Sequence, residues 1–153
     1  MNSVKAKYKS FVRQRGKSDC GVACLLTIIR LYKGDCPYDT LRIWSRMSEM
    51  GTSIKGLKEA ANQTGLTAEA YLVDNLNEFK NETSFPCIIH VLNSQNLPHY
   101  SVCCGISNDG KFLIFDPAIG FELWNESKLS SRWKSKVLLL LSPSENFIIV
   151  RFT

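Results

Sequence analysis

The sequence has no long apolar run, which argues against a membrane-spanning helix. Its longest apolar stretches are residues 22–29, which Thr27 interrupts, and residues 137–141, whereas a span needs about 20 such residues. The N-terminus, Met1 to Lys5, also lacks the apolar stretch of a secretory signal peptide. We therefore predict a chain without a transmembrane segment.

Motifs for nucleotides and metals are missing as well. Neither Gly-rich phosphate-binding pattern, G-x-G-x-x-G or G-x4-G-K-[ST], occurs. There is no C-x2-C pair of the kind that binds zinc. Cys103 and Cys104 are adjacent in a predicted strand, so their side chains point to opposite faces. We expect neither a cofactor nor a metal.

No acidic residue precedes Asp19, although six basic residues do: Lys5, Lys7, Lys9, Arg13, Arg15 and Lys17. Of the 19 basic residues only 13 follow, against 14 acidic ones, so the rest of the chain is close to neutral. A nucleic-acid-binding domain usually carries its positive charge on the folded body. The sequence therefore predicts a solvated basic arm over residues 1–13 and no nucleic-acid partner.

The six cysteines invite a disulfide framework, but that interpretation suits short secreted chains that lack a core. Here 44% of the 153 residues are apolar, enough to form a core in one domain. We predict free thiols in a reducing compartment.

Apolar periodicity divides residues 1–153, read as one domain, into two halves. Up to about Gly65 the pattern is helical: a first helix is capped by Ser18 or Asp19 and ended by Gly34, and two more cover residues 37–50, with Asp39 as cap, and 53–64. Beyond it, short β-branched runs predict strands, with one short helix over 126–133. The predicted strands are residues 67–73, 87–92, 100–106, 111–115, 121–124 and 136–141. Helices followed by strands indicate an α+β fold, a helical half packed on an antiparallel sheet.

Cys20 is the better candidate for a nucleophile. It lies in the first turn of the first predicted helix, where unsatisfied N–H groups and the positive end of the dipole favour a thiolate. Cys24 lies one turn further, on the apolar face with Leu25 and Ile28, and is predicted to be a core residue. The alternative is that both are buried structural residues, as free cysteines often are.

Two histidines could serve as the base. His90 lies inside the predicted strand 87–92, which we expect to be covered on both faces, so it is interpreted as a hydrogen-bonded core residue. His99 begins a strand directly after a loop, where an imidazole can meet solvent and substrate. We predict His99 as the base.

Asp116 ends the strand that pairs with the His99 strand through the predicted turn Asn108-Asp109-Gly110. Antiparallel pairing brings it back alongside His99, where its carboxylate can orient the imidazole. The alternative is an Asp that caps the following turn. Gln14 could donate its amide N–H to an oxyanion together with the Cys20 N–H, or it could be a solvated residue of the arm.

With these residues in hand, the sequence resembles the C39 family of cysteine peptidases, papain-like domains at the N-terminus of ABC exporters that process and secrete bacteriocins and peptide signals. The order, the separations and the overall length agree over nearly the whole chain. The resemblance rests on Gln14-x5-Cys20-Gly21-x-Ala23-Cys24-Leu25, His99-Tyr100-Ser101-Val102 and Asp116-Pro117-Ala118.

The resemblance implies a papain-like peptidase on the cytoplasmic side of a bacterial membrane that cuts a leader peptide after a double-glycine motif. By matching position, Cys20 resembles the nucleophile, His99 the general base and acid, Asp116 the orienting group and Gln14 the oxyanion-hole residue. The implied partners are the leader of a bacteriocin or peptide-signal precursor and the transmembrane and nucleotide-binding domains of an exporter. The chain stops at Thr153, about where transmembrane helices would begin in the family, so both an excised domain and a free-standing relative remain open.

Two other functions are compatible with the pattern. Some exporters carry a C39-like domain that has lost its cysteine and only docks substrate, but Cys20, His99 and Asp116 are retained here. A papain-like amidase or transferase acting on another substrate is the third interpretation.

Overall fold

The computed structural model describes residues 9–150, which form helices around one antiparallel sheet. The helices are α1 (Cys20–Leu31), α2 (Tyr38–Trp44), α3 (Ile54–Gln63), α4 (Leu76–Glu82) and α5 (Glu126–Arg132). The strands are β1 (Leu66–Leu72), β2 (Cys87–Leu92), β3 (Pro98–Ile106), β4 (Phe112–Asp116), β5 (Gly120–Trp124) and β6 (Val137–Pro143).

The six strands lie in the order β1-β6-β2-β3-β4-β5, and every neighbouring pair is antiparallel. Because side chains alternate across a strand, neighbouring residues such as Ile88 and Ile89 enter two different apolar clusters. One cluster joins the sheet to α1, α2 and α3, and the other joins its opposite face to α4 and α5. The predicted α+β arrangement is therefore present, with helices on both faces.

Helix α1 is the centre of the larger cluster. All nine of its residues from Gly21 to Ile29 are buried, so this helix is enclosed on all sides rather than on one stripe. Its buried polar residue, Thr27, is satisfied: the hydroxyl donates to the Ala23 carbonyl at 2.9 Å and accepts the Val12 N–H at 3.0 Å. A helix held this firmly gives a rigid support to whatever lies at its N-terminus.

The segment before α1 corrects the prediction of a solvated arm. Residues 1–8 of that arm lie outside the described residues. Phe11 meets the ring of Phe115 edge-on, with 5.3 Å between centroids, and the Arg13 guanidinium donates to the Ile119 carbonyl at 3.2 Å. The expectation was wrong for Phe11 and Val12, which are partly buried because Phe11 packs on β4 and the Val12 N–H bonds to Thr27 of α1. Arg13 is exposed but is tied to the turn that follows β4.

Two helices differ from the sequence prediction. Helix α2 ends at Trp44 instead of residue 50, because Arg46 takes a positive φ of 58° and the chain enters a tight turn closed by paired Ser48 and Gly51. Its N-cap is Pro37, not Asp39. Helix α4 was not predicted, since only Phe79 of its seven residues is buried and so no periodic pattern exists.

No helix within residues 9–150 is long and apolar enough to cross a membrane. The six cysteines all lie in this range and are free thiols.

Gly56 marks the closest approach of α3 to the end of α2. A Cβ at this position would lie 2.2 Å from the Ser45 carbonyl oxygen. We expect Gly56→Ala to lower the free energy of unfolding by about 1–3 kcal/mol, although alanine alone would favour a helix by about 1 kcal/mol. Urea denaturation measures the change; Lys55→Ala, on the exposed side of the same turn, is the control and should stay within about 0.5 kcal/mol of the parent. A stabilised Gly56→Ala protein would contradict the described packing.

Candidate active site

Cys20 is the first residue of α1 and is partly exposed. The next residue explains how it can lie so close to the sheet: a Cβ on Gly21 would be 3.1 Å from the Tyr100 ring and 3.2 Å from Leu57. Any larger residue would require these two side chains to move by a few tenths of an ångström, so glycine favours the close approach of the first turn of α1 to β3. The thiol therefore lies at the N-terminus of a helix, against the strand that carries His99.

His99 and Asp116 meet at one edge of the sheet, since β3 begins where its antiparallel partner β4 ends. Val102 pairs with Phe115, which leaves Asp116 one diagonal step from His99 in the ladder. His99 Nε2 lies 2.8 Å from Asp116 Oδ1, and both side chains are over nine-tenths buried. The bond with Asp116 uses Nε2 and leaves Nδ1 as the second ring nitrogen, and Cys20 is the other residue that interacts with the His99 side chain.

The charges of the three groups depend on one another. Burial opposes protonation of His99, but hydrogen bonds to Asp116 and Cys20, and the charges of these groups, raise the pKa of His99 to about 9. Burial opposes ionisation of Asp116 as well, yet its hydrogen bond to His99 and the charge of the imidazolium lower the pKa of Asp116. The site is thus arranged to hold an imidazolium between a carboxylate and a thiol near neutral pH.

Asp116 also performs the structural task considered as its alternative role. Its Oδ1 accepts the Ala118 N–H at 2.8 Å, which fixes the turn after β4. The two roles coexist because a carboxylate oxygen can accept from more than one donor.

Gln14 is held next to Asp116 through its backbone and is only partly exposed, so it is not a fully solvated residue. Its N–H donates to the Pro117 carbonyl at 2.9 Å, and its side-chain Nε2 donates to the Gly16 carbonyl at 2.6 Å. Its Oε1 is buried and has no hydrogen-bond partner within residues 9–150. One hydrogen of Nε2 is left for a ligand.

Cys24 lies on the core side of α1, as predicted. It is 1% exposed, and burial, with the neighbouring charges of Cys20, Asp116 and Cys104, raises the pKa of its thiol. Burial likewise raises the pKa of the Cys87 thiol. These thiols lack the surroundings of a reactive cysteine.

A cleft of about 350 Å³ opens above Cys20 and His99. One wall comes from β2 and β3, and the other from the turn between α2 and α3; Tyr100 joins them by donating its hydroxyl to the Thr52 carbonyl at 2.9 Å. The lining residues are Lys17, Ser18, Cys20, Glu49, Met50, Gly51, Thr52, Ser53, His90, Pro98, His99 and Tyr100.

His90 is a cleft residue that the sequence prediction missed. It is hydrogen-bonded, as expected, with Nδ1 3.3 Å from Ser135 Oγ, and burial lowers its pKa. It is nonetheless only partly buried and lines the cleft beside His99. Its place opposite Tyr100 in the β2–β3 ladder could have indicated this, because paired residues lie side by side.

A larger, shallower depression of about 1080 Å³ lies along β1 and the segment after β6. Neither a cysteine nor a histidine lines it. The chemistry of the side chains, rather than the size of the concavity, identifies the cleft at Cys20 as the candidate site.

A sequence model described as the peptidase C39 family matches residues 8–146. The chain belongs to the peptidase C39 family. Among its curated relatives is the lactococcin-A transport/processing ATP-binding protein of Lactococcus lactis subsp. lactis, 31% identical over 146 residues. The pediocin PA-1 transport/processing ATP-binding protein of Pediococcus acidilactici is 28% identical over 141 residues.

These alignments cover 94% and 92% of the chain but only 20% and 19% of the relatives. The chain thus spans about a fifth of the length of these transport and processing proteins. The similarity is therefore to a part of each relative, and it makes this C39 chain a member of a cysteine peptidase family.

Solved structures agree with the assignment to the C39 family. The peptidase domain of Streptococcus ComA, described as a bifunctional ABC transporter of a quorum-sensing pathway, aligns with a TM-score of 0.78 at 27% identity, over 87% of this chain and 97% of that one. A double glycine motif protease from an AMS/PCAT transporter, in complex with the leader peptide, gives the same TM-score and identity, over 87% and 90%. The predicted α+β, papain-like fold is confirmed.

The two histidines are expected to titrate on opposite sides of the usual value of 6.5. Imidazole nitrogen shifts in 15N-labelled protein should give a pKa of about 9 for His99 and one below 6.5 for His90. Asp116→Asn removes a group that raises the pKa of His99 and should lower it, leaving His90 unchanged. Asp109→Asn, on the exposed hairpin, is the control and should change neither; a wild-type His99 that titrates near 6.5 would contradict the described contacts.

The same shifts fix the sign of the pH dependence of stability. Because folding raises the pKa of His99, its interactions stabilise the protein fully below pH 6.5, and this contribution is lost as the pH rises through about 9. Asp116, whose pKa is lowered, stabilises the fold above pH 3.8, and its contribution is lost in more acidic solution.

Proposed function

We propose that this chain is a cysteine endopeptidase that cleaves the leader of a secreted peptide precursor after a double-glycine motif, coupled to export by an ABC transporter. The main support for this proposal is the position of His99. It is hydrogen-bonded to Asp116 at 2.8 Å and also interacts with Cys20, the first residue of α1. Nucleophile, base and orienting group in this order form the arrangement needed for thiol acyl transfer.

In the first step the Cys20 thiolate attacks the carbonyl carbon of the second leader glycine. A C–S bond forms, and the carbonyl oxygen becomes an oxyanion. The His99 imidazolium then gives its proton to the amide nitrogen as the C–N bond breaks, which releases the mature peptide and leaves a thioester. The raised pKa of His99 keeps this proton available near neutral pH.

Two donors flank the oxyanion in this mechanism. The Cys20 N–H is at the first position of α1, so it has no acceptor within the helix. The free hydrogen of Gln14 Nε2 is the second donor, and each such donor typically contributes about 3 kcal/mol to the transition state.

Water completes the cycle. Neutral His99 takes one proton from a water molecule as the water oxygen attacks the carbonyl carbon of the thioester. The C–S bond then breaks, which restores the Cys20 thiolate and the His99 imidazolium, and the leader acid loses its remaining proton to solvent to become a carboxylate. Asp116 keeps the imidazole in one orientation through both steps, because its carboxylate accepts from the same ring nitrogen throughout.

The substrate class is supported by the relatives. One structural neighbour is a double glycine motif protease in complex with a leader peptide, and curated relatives process and transport lactococcin A and pediocin PA-1. We therefore assign the leader of a bacteriocin or peptide-signal precursor as substrate. The transmembrane and nucleotide-binding domains of an exporter are the proposed partners of this 1–153 domain, on the cytoplasmic side of the membrane.

Cys20→Ala tests the nucleophile. A synthetic precursor with a Gly-Gly leader should be cut after the second glycine by the wild type, as mass spectrometry of the products would reveal, and the variant should lose at least about a thousandfold in rate. The matched control is Cys24→Ala on the same helix, which should lower stability by about 1 kcal/mol and keep its turnover. Cleavage by a folded Cys20→Ala protein would overturn the mechanism, and loss of cleavage in folded Cys24→Ala would reassign the nucleophile.

Alkylation separates this peptidase from a docking domain that binds leaders without cutting them. With iodoacetamide near neutral pH, one fast-reacting thiol that peptide mapping locates at Cys20 supports the peptidase. Uniformly slow thiols in a protein that still binds the precursor would support docking instead.

A further inference from the structure

Asp19 has a chemical setting that the proposed mechanism does not use. It precedes Cys20 in the chain and is only 4% exposed, yet its carboxylate makes no cap hydrogen bond to α1. Its oxygens instead point back toward the segment that carries Gln14. A buried carboxylate needs strong partners to remain charged, and Asp19 has three.

The three partners are two backbone N–H groups and a phenol. Asp19 Oδ2 accepts the Arg15 N–H at 2.6 Å and the Tyr38 hydroxyl at 2.5 Å, and Oδ1 accepts the Gly16 N–H at 2.8 Å. Burial opposes ionisation, but the Tyr38 and backbone hydrogen bonds outweigh it and lower the pKa of Asp19. The carboxylate is therefore ionised at neutral pH and closes the turn of residues 15–19.

The same turn holds the side chain of Gln14. Gly16 donates its N–H to Asp19 and accepts Gln14 Nε2 on its carbonyl at 2.6 Å. Because a carbonyl can only accept, it fixes which end of the Gln14 amide is the nitrogen. Asp19 holds Gly16, and Gly16 in turn holds the donor.

Two further contacts hold the turn of residues 15–19 and the Gln14 backbone before it. The Arg15 guanidinium lies 4.0 Å from the centre of the Tyr38 ring, a cation–π contact that packs Tyr38 over the turn. The Gln14 N–H is tied to the Pro117 carbonyl, one residue after Asp116. The backbone of Gln14 is thus fixed relative to Asp116, while its side chain is fixed through Asp19.

We infer that Asp19 is a positioning residue whose buried carboxylate, through Gly16, aims the Gln14 amide at the oxyanion formed on Cys20. This inference rests on the proposed function, in which Gln14 supplies the side-chain donor. Asp19 itself touches no reacting atom. Its effect should therefore appear in acyl transfer and not in the reactivity of the thiol.

Asp19→Asn is the test, because an amide has nearly the same shape but one acceptor oxygen in place of two. At least one backbone N–H of the turn then loses its acceptor. We expect kcat/KM for the Gly-Gly precursor to fall by about 10- to 100-fold. Iodoacetamide should alkylate Cys20 within about twofold of the wild-type rate, since alkylation forms no oxyanion. Asp39→Asn, an exposed carboxylate on α2, is the control and should change neither rate.

A double-mutant cycle with Gln14→Ala tests the route of the effect. If Asp19 acts through Gln14, adding Asp19→Asn to Gln14→Ala should lower turnover by less than about threefold further. Losses that multiply, alkylation that falls in parallel with turnover, or an Asp19→Asn enzyme with wild-type turnover would each overturn the inference.

Circular dichroism and the thermal midpoint check that each variant is folded at the assay temperature. If Asp19→Asn does not fold, Tyr38→Phe takes its place in the same cycle, because it keeps both backbone hydrogen bonds and removes only the third. We then expect kcat/KM of the Tyr38→Phe enzyme to fall by about three- to tenfold. As before, Cys20 alkylation should stay within about twofold of the wild-type rate, and the further loss in the Gln14→Ala background should be less than about threefold. The proposed function is tested separately, because cleavage by a Cys20→Ala protein would overturn it. Cleavage that requires Cys20 but is unaffected by Asp19→Asn would overturn only the inference about Asp19.

Discussion

The hydrogen bond between His99 and Asp116 is the interaction on which the rest of the site depends. Burial alone would disfavour the charged form of either group, but the hydrogen bond and the opposite charge of its partner stabilise that form. The pair exists because β4 runs antiparallel to β3 and ends where β3 begins. From this pair follow the orientation of the imidazole and its high proton affinity.

The N-terminus of α1 packs against the end of the sheet at which His99 and Asp116 meet. Buried along nearly all its length, α1 cannot shift without disturbing the larger core, and Gly21 allows its first turn to lie against Tyr100. The segment before it, closed by Asp19 and tied to Pro117, adds Gln14 to the same place. Two parts of the chain that are far apart in sequence, residues 14–21 and the β3–β4 hairpin, thus converge through close packing and hydrogen bonds, which suits a site that must be rigid before substrate arrives.

Sequence reasoning predicted the parts of this arrangement that local chemistry encodes. The Asn108-Asp109-Gly110 turn identified the β3–β4 hairpin and so the meeting of His99 with Asp116, and β2 has the predicted bounds. The contacts that Asp19 and Gly16 make could not be predicted. These contacts depend on how the loop before α1 folds back on Asp19, and no periodicity or motif in the sequence indicates that. The short α4 was missed because it buries only Phe79, and the early end of α2 because it depends on the turn that follows it.

The central claim is that Cys20 is the single thiol that reacts with the second glycine of a Gly-Gly leader. The most direct measurement is labelling with a leader peptide whose second glycine carries a chloromethyl ketone, followed by peptide mapping. One adduct per chain, on Cys20, formed faster than with the same reactive group on a short acetylated Gly-Gly, is the predicted result. Adducts on other cysteines, or none on Cys20, would contradict it.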